Sequence, residues 1–209
     1  RRYRKAIRGV PGEVHIGERA WLLERVSGHE VRVSAGSFFQ SGVQAAELLV
    51  AAVAAAAPEL DGAGHGVDAY GGVGLFGVAA MSSAELVTVI ESSKSACLDA
   101  RHNLAGRRAE VVHADVSGWS APASSGGRGP TPAVDVVVAD PARPGLGKPG
   151  VAALAAALAP VFVLVSCDPV SLARDVMLLS AAGYVVEGVE VLDIFPNTHH
   201  VETVTRFVL

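Results

Sequence analysis

Cysteine is scarce in this chain of 209 residues: Cys97 and Cys167 are the only two. A pair so far apart builds no disulfide framework, and without a Cys-x-x-Cys pair or Cys/His cluster no metal site is expected. Long apolar runs are missing as well. The most apolar windows, "ELLVAAVAAAAPEL" and "VAALAAALAPVFVLVS", are Ala-rich, and Pro160 interrupts the second. Both fall short of the unbroken ~20 residues of a membrane helix, so they read as core elements. Excess positive charge is absent too. A net charge of −4 gives no global attraction for nucleic acid, so any RNA or DNA contact has to come from a local patch. The basic N-terminus has no apolar segment behind it, which argues against a signal peptide and makes the cytoplasm the expected compartment. What the chain has in plenty is hydrophobic residues, 50% of the total, enough for the large core of one ordinary domain.

Residues 1–36 stand apart from residues 37–209. "RRYRKAIRG" (Arg1, Arg2, Arg4, Lys5 and Arg8 among its nine residues) reads either as a local RNA-binding patch or as a solvated tail. "ERAWLLERVSGHEVRVSAG" alternates apolar and polar residues in the manner of short antiparallel strands. From residue 37 onward, strands and helices take turns. Strands are expected over "HGVDAY", "AELVTVIE", "AEVVHAD", "VDVVVADPA", "PVFVLVSC", "YVVEGVEVLDIF" and "HVETVTRFVL". Helices are expected from about Gln44 and through "LFGVAAMSS", "SSKSACLDARHNLAG", "PGVAALAAALA" and "PVSLARDVMLLSAAG". "SGWSAPASSGGRGPTPA" is rich in Ser, Gly and Pro and reads as a surface loop. The pattern predicts an α/β fold: a mostly parallel seven-stranded sheet with helices on both faces and a small N-terminal β appendage.

Ligands on such sheets bind beyond the carboxyl ends of the strands, so the residues there carry the chemistry. The first strand runs into "DAYGGVGLFG", where Gly71, Gly72 and Gly74 serve either a plain turn or a close approach to a ligand. The second ends in Glu91, an acid suited to accept two hydrogen bonds from ribose hydroxyls; together the two features favour a ligand containing adenosine. Asp115, after the third, meets an adenine amino group or is a solvated loop acid. The fourth ends in "DPARPGLG". Asp140 there is either a cap for the helix near Gly150 or, the preferred reading, a carboxylate lining the cleft, with Arg143 placed to meet a phosphate or a base edge. The fifth delivers Cys167 to the start of a helix whose partial positive charge favours thiolate; a reactive thiol is expected there, while Cys97 reads as a buried hydrophobe. Near the final hairpin stand Asp193, His199, His200 and Glu202. Neighbouring histidines on a strand face opposite ways, so no shared metal ion is expected.

"SFFQ", "DAYGGVG", "DPARPGLG", "VSCDPVSLARD" and "DIFPNTHHVETV" come in the order, and near the spacing, of the RNA uracil-5 methyltransferase family. The chain resembles that family from about Val31 to Leu209. The resemblance implies a class I methyltransferase (Rossmann-like) fold, S-adenosylmethionine as cofactor, and structured tRNA or rRNA as partner. It implies Cys167 as nucleophile and Glu202 as base, with Gln40, Tyr70, Glu91 and Asp140 lining the site of cofactor and target base. Gly72, Gly74 and Asp115 join the cofactor set; Arg143, Phe39 and His200 are assigned to the substrate. The sequence departs from the family pattern at Gly42, Gly71, Leu75, Ala142 and Asp168. The last puts a negative charge beside the thiol, which opposes thiolate formation.

The implied chemistry is self-consistent. Carbon-5 of uracil is too weak a nucleophile to attack a sulfonium methyl group unaided. Addition of a thiolate at carbon-6 makes an enolate that can, and a base then removes the carbon-5 proton so that the thiol leaves. The uridine has to leave any stack to expose its face, with Phe38 or Phe39 as its support or as plain core. Two alternatives stand: a methyltransferase acting by direct transfer on a nitrogen or another base, and a module that binds S-adenosylmethionine or RNA without turnover.

Overall fold

The computed structural model of the protein describes residues 20–121, 132–195, 197–198 and 200–209. The basic stretch at residues 1–9, most of the Ser/Gly/Pro loop and His199 lie outside the described residues. The chain opens with an antiparallel hairpin, β1 (Trp21–Val26) and β2 (His29–Ser34), in register from Trp21 opposite Ser34 to Val26 opposite His29. Helix α1 (Val43–Ala56) follows, and Pro58 marks its end. Then come β3 (His65–Ala69), α2 (Leu75–Ala79), β4 (Leu86–Glu91), α3 (Lys94–Asn103) and β5 (Ala109–His113). The remainder is β6 (Val136–Ala139), α4 (Gly147–Ala155), β7 (Val161–Ser166), α5 (Pro169–Ala181), β8 (Val185–Leu192) and β9 (Glu202–Val208).

The seven strands from β3 onward form one sheet in the order β5-β4-β3-β6-β7-β9-β8, parallel except for β9, which runs against both its neighbours. The centre of the sheet is covered on both faces, so its strands read as mostly apolar runs rather than alternating ones, with His65, Asp68 and Thr88 as buried polar exceptions. β4, β6 and β7 show how the alternation is spent. Val87 and Val89, Val136 and Val138, and Val161, Val163 and Val165 join the core under α1, α2, α3 and the hairpin. Ile90, Val137, Ala139, Phe162 and Leu164 join the one under α4 and α5. In that second core the Phe162 ring meets Tyr184 and Phe207 edge-on at 5.6 and 6.2 Å, and Phe162→Ala should cost roughly 3–5 kcal/mol.

The strand order reverses between β3 and β6, so the crevice beyond their carboxyl ends is where such a sheet holds a ligand. Two glycines let the chain turn there. A Cβ at Gly71 would stand 2.7 Å from Val89 Cγ1 and 2.9 Å from Asp68 Cγ, and Gly74, at φ +80°, packs against Ala100. Among the described residues no helix is long and apolar enough to cross a membrane.

Candidate active site

The carboxyl ends of four strands, the start of β9 and the segment before α1 enclose a cavity of about 580 Å³, within the range of sites for small molecules and cofactors. Phe38, Phe39, Gln40 and Ser41 form one wall. Tyr70 and the turn after β3 supply the floor, Glu91 the end of β4, Asp140 and Arg143 the loop after β6. Cys167 follows β7, and Glu202 begins β9. The last two stand close for a geometric reason. Ser166 is paired with Thr203 on the antiparallel β7–β9 ladder, so Cys167 and Glu202 are the next residue of each strand.

Glu91 organises the glycine turn as well as facing the cavity. Its Oε2 accepts a hydrogen bond from the Gly72 N–H at 3.0 Å and its Oε1 one from the Ser93 N–H at 2.6 Å. A carboxylate has about four lone-pair sites, so it keeps capacity for hydroxyl donors. Tyr70 stands at φ +60°, a left-handed conformation that a bulky residue adopts only under constraint, and burial pushes its phenol up to about 12. Gln40 Nε2 donates to Asp140 Oδ2 at 3.1 Å, tying the wall to the β6 loop. Arg143 is exposed at the rim; its Nη2 lies 3.1 Å from His200 Nε2, and the His200 ring meets Phe195 edge-on.

Burial dominates the electrostatics. It pushes Asp140 up to about 7 and Glu202 up to about 8, the Asp140 charge adding to the rise at Glu202. Beneath the turn, Asp68 is wholly buried and pushed up to about 8. Its Oδ2 accepts the Gly77 N–H at 2.9 Å, and its Oδ1 has no hydrogen-bond partner. Burial also raises the Cys167 thiol, and Glu202 and Asp140 raise it further; its backbone N–H and the Arg143 guanidinium act the other way.

Several expectations change on contact with this geometry. The helix start does not bring Cys167 below the ordinary thiol range, because desolvation outweighs it. Asp168 is not the acid that opposes the thiolate. Its Oδ1 accepts the Ser171 N–H at 2.7 Å and caps α5, leaving Glu202 and Asp140 in the opposing role. For Asp140 the alternative of a helix cap falls away: Asp140 lines the cavity, and Asp175 accepts from Leu146 N–H at 2.7 Å and Gly147 N–H at 3.1 Å at the start of the helix that follows. Gly74 and Asp115 lie outside the cavity lining. Gly74 starts α2, and Asp115 caps the turn at Val116–Gly118 through the Ser117 N–H. His200 is also outside the lining and reaches it only through Arg143. Phe76 and Phe195 line the cavity without having been singled out, and Asp68 was passed over although an acid inside the strand "HGVDAY" was its visible signal.

No family model matches the chain. A Streptomyces avermitilis protein named an uncharacterized RNA methyltransferase is 38% identical over 198 residues, 92% of this chain and 44% of that one. A Streptococcus mutans protein of the same name is 36% identical over 189 residues, 90% of this chain and 41% of the other. The chain therefore spans less than half the length of these curated relatives. Among solved structures, the Pyrococcus abyssi tRNA (uracil-54, C5)-methyltransferase in complex with S-adenosyl-L-homocysteine matches with a TM-score of 0.75 and 32% identity, over 90% of this chain and 44% of that one. The Synechocystis magnesium protoporphyrin IX methyltransferase with bound S-adenosylmethionine matches at TM-score 0.55 and 16% identity over 79% of each chain, a likeness of fold alone. The fold is that of the class I S-adenosylmethionine-dependent methyltransferases, with a small antiparallel sheet at its N-terminal side.

Proposed function

We propose that this chain is the catalytic region of an S-adenosylmethionine-dependent RNA methyltransferase that modifies carbon-5 of a uridine in tRNA or rRNA through a covalent Cys167 adduct. The carrying observation is that a thiol and a buried carboxyl, Cys167 and Glu202, stand on neighbouring strands and line one cavity. The RNA methyltransferase names of the relatives and the tRNA uracil methyltransferase neighbour support the same reading.

The residues present suit the cofactor. S-adenosylmethionine, when bound, supplies an electrophilic methyl group on a sulfonium centre. Glu91 suits the ribose hydroxyls, and Phe76, Leu75 and Val73 give an apolar wall for the purine. Asp140 and Glu202, neither with a cationic partner in the cavity wall except the rim Arg143, suit a ligand that carries positive charge. Such a charge also offsets the two carboxylates that hold the Cys167 thiol up.

On the substrate side, the Cys167 sulfur adds to carbon-6 and carbon-5 takes the methyl group. Glu202 in its ionised form then accepts the carbon-5 proton, the carbon-5–carbon-6 double bond reforms, and the carbon–sulfur bond breaks with its electron pair leaving on sulfur as the Cys167 thiolate. A raised carboxyl matches this work: proton transfer is most efficient when the catalytic pKa lies near the operating pH. Gln40 and Asp140 together offer an amide and a carboxyl to the base edge, while Arg143 at the rim suits a phosphate. The test is nucleoside mass spectrometry of transcribed tRNA and rRNA fragments incubated with the protein and a labelled methyl donor. Label in 5-methyluridine supports the reading; label on another base or on a nitrogen overturns it in favour of direct transfer.

A further inference from the structure

The SFFQ wall of the cavity is held from behind by one face of α3. Ser95, Asp99 and Asn103 recur every fourth residue along this helix and so point the same way. Asp99 is fully buried, with its oxygens surrounded by donors from the chain that leads into the wall. Its Oδ2 accepts the Ser34 N–H at 2.8 Å and the Ser37 Oγ–H at 2.6 Å, its Oδ1 accepts the Ser34 Oγ–H at 2.8 Å, and Arg32 Nε stands 3.0 Å from Oδ1. Ser95 Oγ lies 3.0 Å from Ser37 Oγ. At the other end of the face, Asn103 accepts the Arg32 N–H at 2.8 Å and donates to Arg32 O at 3.0 Å and to Val73 O, in the glycine turn, at 2.9 Å.

Holding a hairpin against a helix does not call for this arrangement, since apolar packing does it without the cost of drying a carboxylate. Directional bonds do something apolar contact cannot: they fix where each donor stands. Three residues beyond Ser37, Gln40 meets Asp140 across the cavity, and Phe38, Phe39 and Ser41 line it. Asp99 lies outside the lining. We propose that Asp99, assisted by Ser95 and Asn103, is a positioning residue that sets the wall Phe38–Ser41 and the glycine turn in one frame, so that Gln40 and the turn meet a ligand together. Only the affinity arm of its test rests on the cofactor reading above.

Asp99→Asn turns an N–H toward donors that need an acceptor. S-adenosylhomocysteine should bind about tenfold more weakly by calorimetry, the loss expected when a charge-assisted bond network is broken. Amide exchange over Ser34–Ser41 should speed up, and the effect on affinity should not add to that of Gln40→Ala, because both act through one wall. Ser37→Ala, a milder break that leaves the carboxylate other donors, should give about a threefold loss and covers the case in which Asp99→Asn fails to fold. Arg206→Ala, at the far edge of the sheet, is the control: it lowers the melting temperature without moving affinity or exchange at the wall. If Asp99→Asn and Ser37→Ala melt lower yet keep wild-type affinity and exchange over residues 34–41, the face is merely structural and the proposal falls. Wild-type protein that binds no S-adenosylhomocysteine overturns the cofactor reading instead, and the exchange arm then decides the tether by itself.

Discussion

At the outer edge of the sheet, Arg206 meets Glu59 through two bonds of 2.8 and 2.9 Å, Glu187 at 2.5 Å and the Ala56 carbonyl at 2.8 Å. Those acids stay open to solvent, and the pairing lowers Glu59 below its ordinary value. In the cleft the opposite holds. Glu202 is buried and Asp140 half-buried, Asp68 is wholly buried beneath the glycine turn, all three are raised, and the cation in the cavity lining, Arg143, stands exposed at its rim. The outer cluster ties α1 to the last hairpin and can be wet because tying is all it does. The inner carboxyls are held near neutrality at physiological pH, where a proton can be given or taken. Within one chain, paired wet charge marks a joint and unpaired dry charge marks a workplace.

Removing the thiol breaks this contrast hardest. Cys167→Ala should abolish both methylation and any denaturant-stable RNA adduct while leaving the melting temperature close to wild type, read by label transfer and gel shift. Glu202→Gln keeps the size of the side chain but not its basicity. It should cut turnover by roughly 10²–10⁴-fold and let the adduct accumulate, since elimination needs the proton removed. A fully active Cys167→Ala enzyme promotes direct transfer. Next in size, Glu91→Ala should weaken S-adenosylhomocysteine binding by about 2 kcal/mol, through lost charge-assisted hydrogen bonds and a loosened Gly72 turn, measured by calorimetry.

The pH dependence sharpens the comparison. The raised carboxyls of Asp68, Asp140 and Glu202 hold protons in the folded protein over a range where the unfolded chain has lost them. Stability is therefore fullest below about pH 4 for these three groups and is lost as pH rises through about 7 to 8. Chemical denaturation at pH 6.0 and 8.5, buffers chosen to bracket that loss, should show the folded state weakened at the higher pH, and Asp68→Asn should flatten the difference. The smallest effect belongs to the outer joint. Arg206→Ala should cost about 1 kcal/mol, reduced by the exposure of its partners, with affinity for cofactor unchanged.

The sheet was legible in the sequence because most buried strands are short apolar runs and many of the connections carry glycine or proline, as at Gly71 and Pro141. Cys167, Glu91 and Asp140 were legible because they interrupt such runs at their carboxyl ends. What could not be read was orientation. Asp168 stands next to the thiol in sequence, yet its carboxylate turns to the helix start, and Asp175, far along the chain, takes the cap that was only the alternative reading of Asp140. Ser95, Asp99 and Asn103 were not singled out, because nothing local says that a hairpin will cover them. The thiol is raised first by burial and then by carboxylates brought in by two other strands, neither of which one-dimensional spacing measures.

The β7–β9 ladder also predicts how this chain tolerates change in length. Strand side chains alternate faces, so one residue inserted between Thr203 and Phe207, compensated by a slip, would send the Glu202 carboxyl to the opposite side of the sheet from Cys167. Residues added to the connection between Leu192 and Glu202 leave the rungs beneath untouched. Lengthening there keeps the pairing of thiol and carboxyl through the backbone's own hydrogen bonds, and what it displaces instead is Phe195 in the cavity lining and His200 beside Arg143.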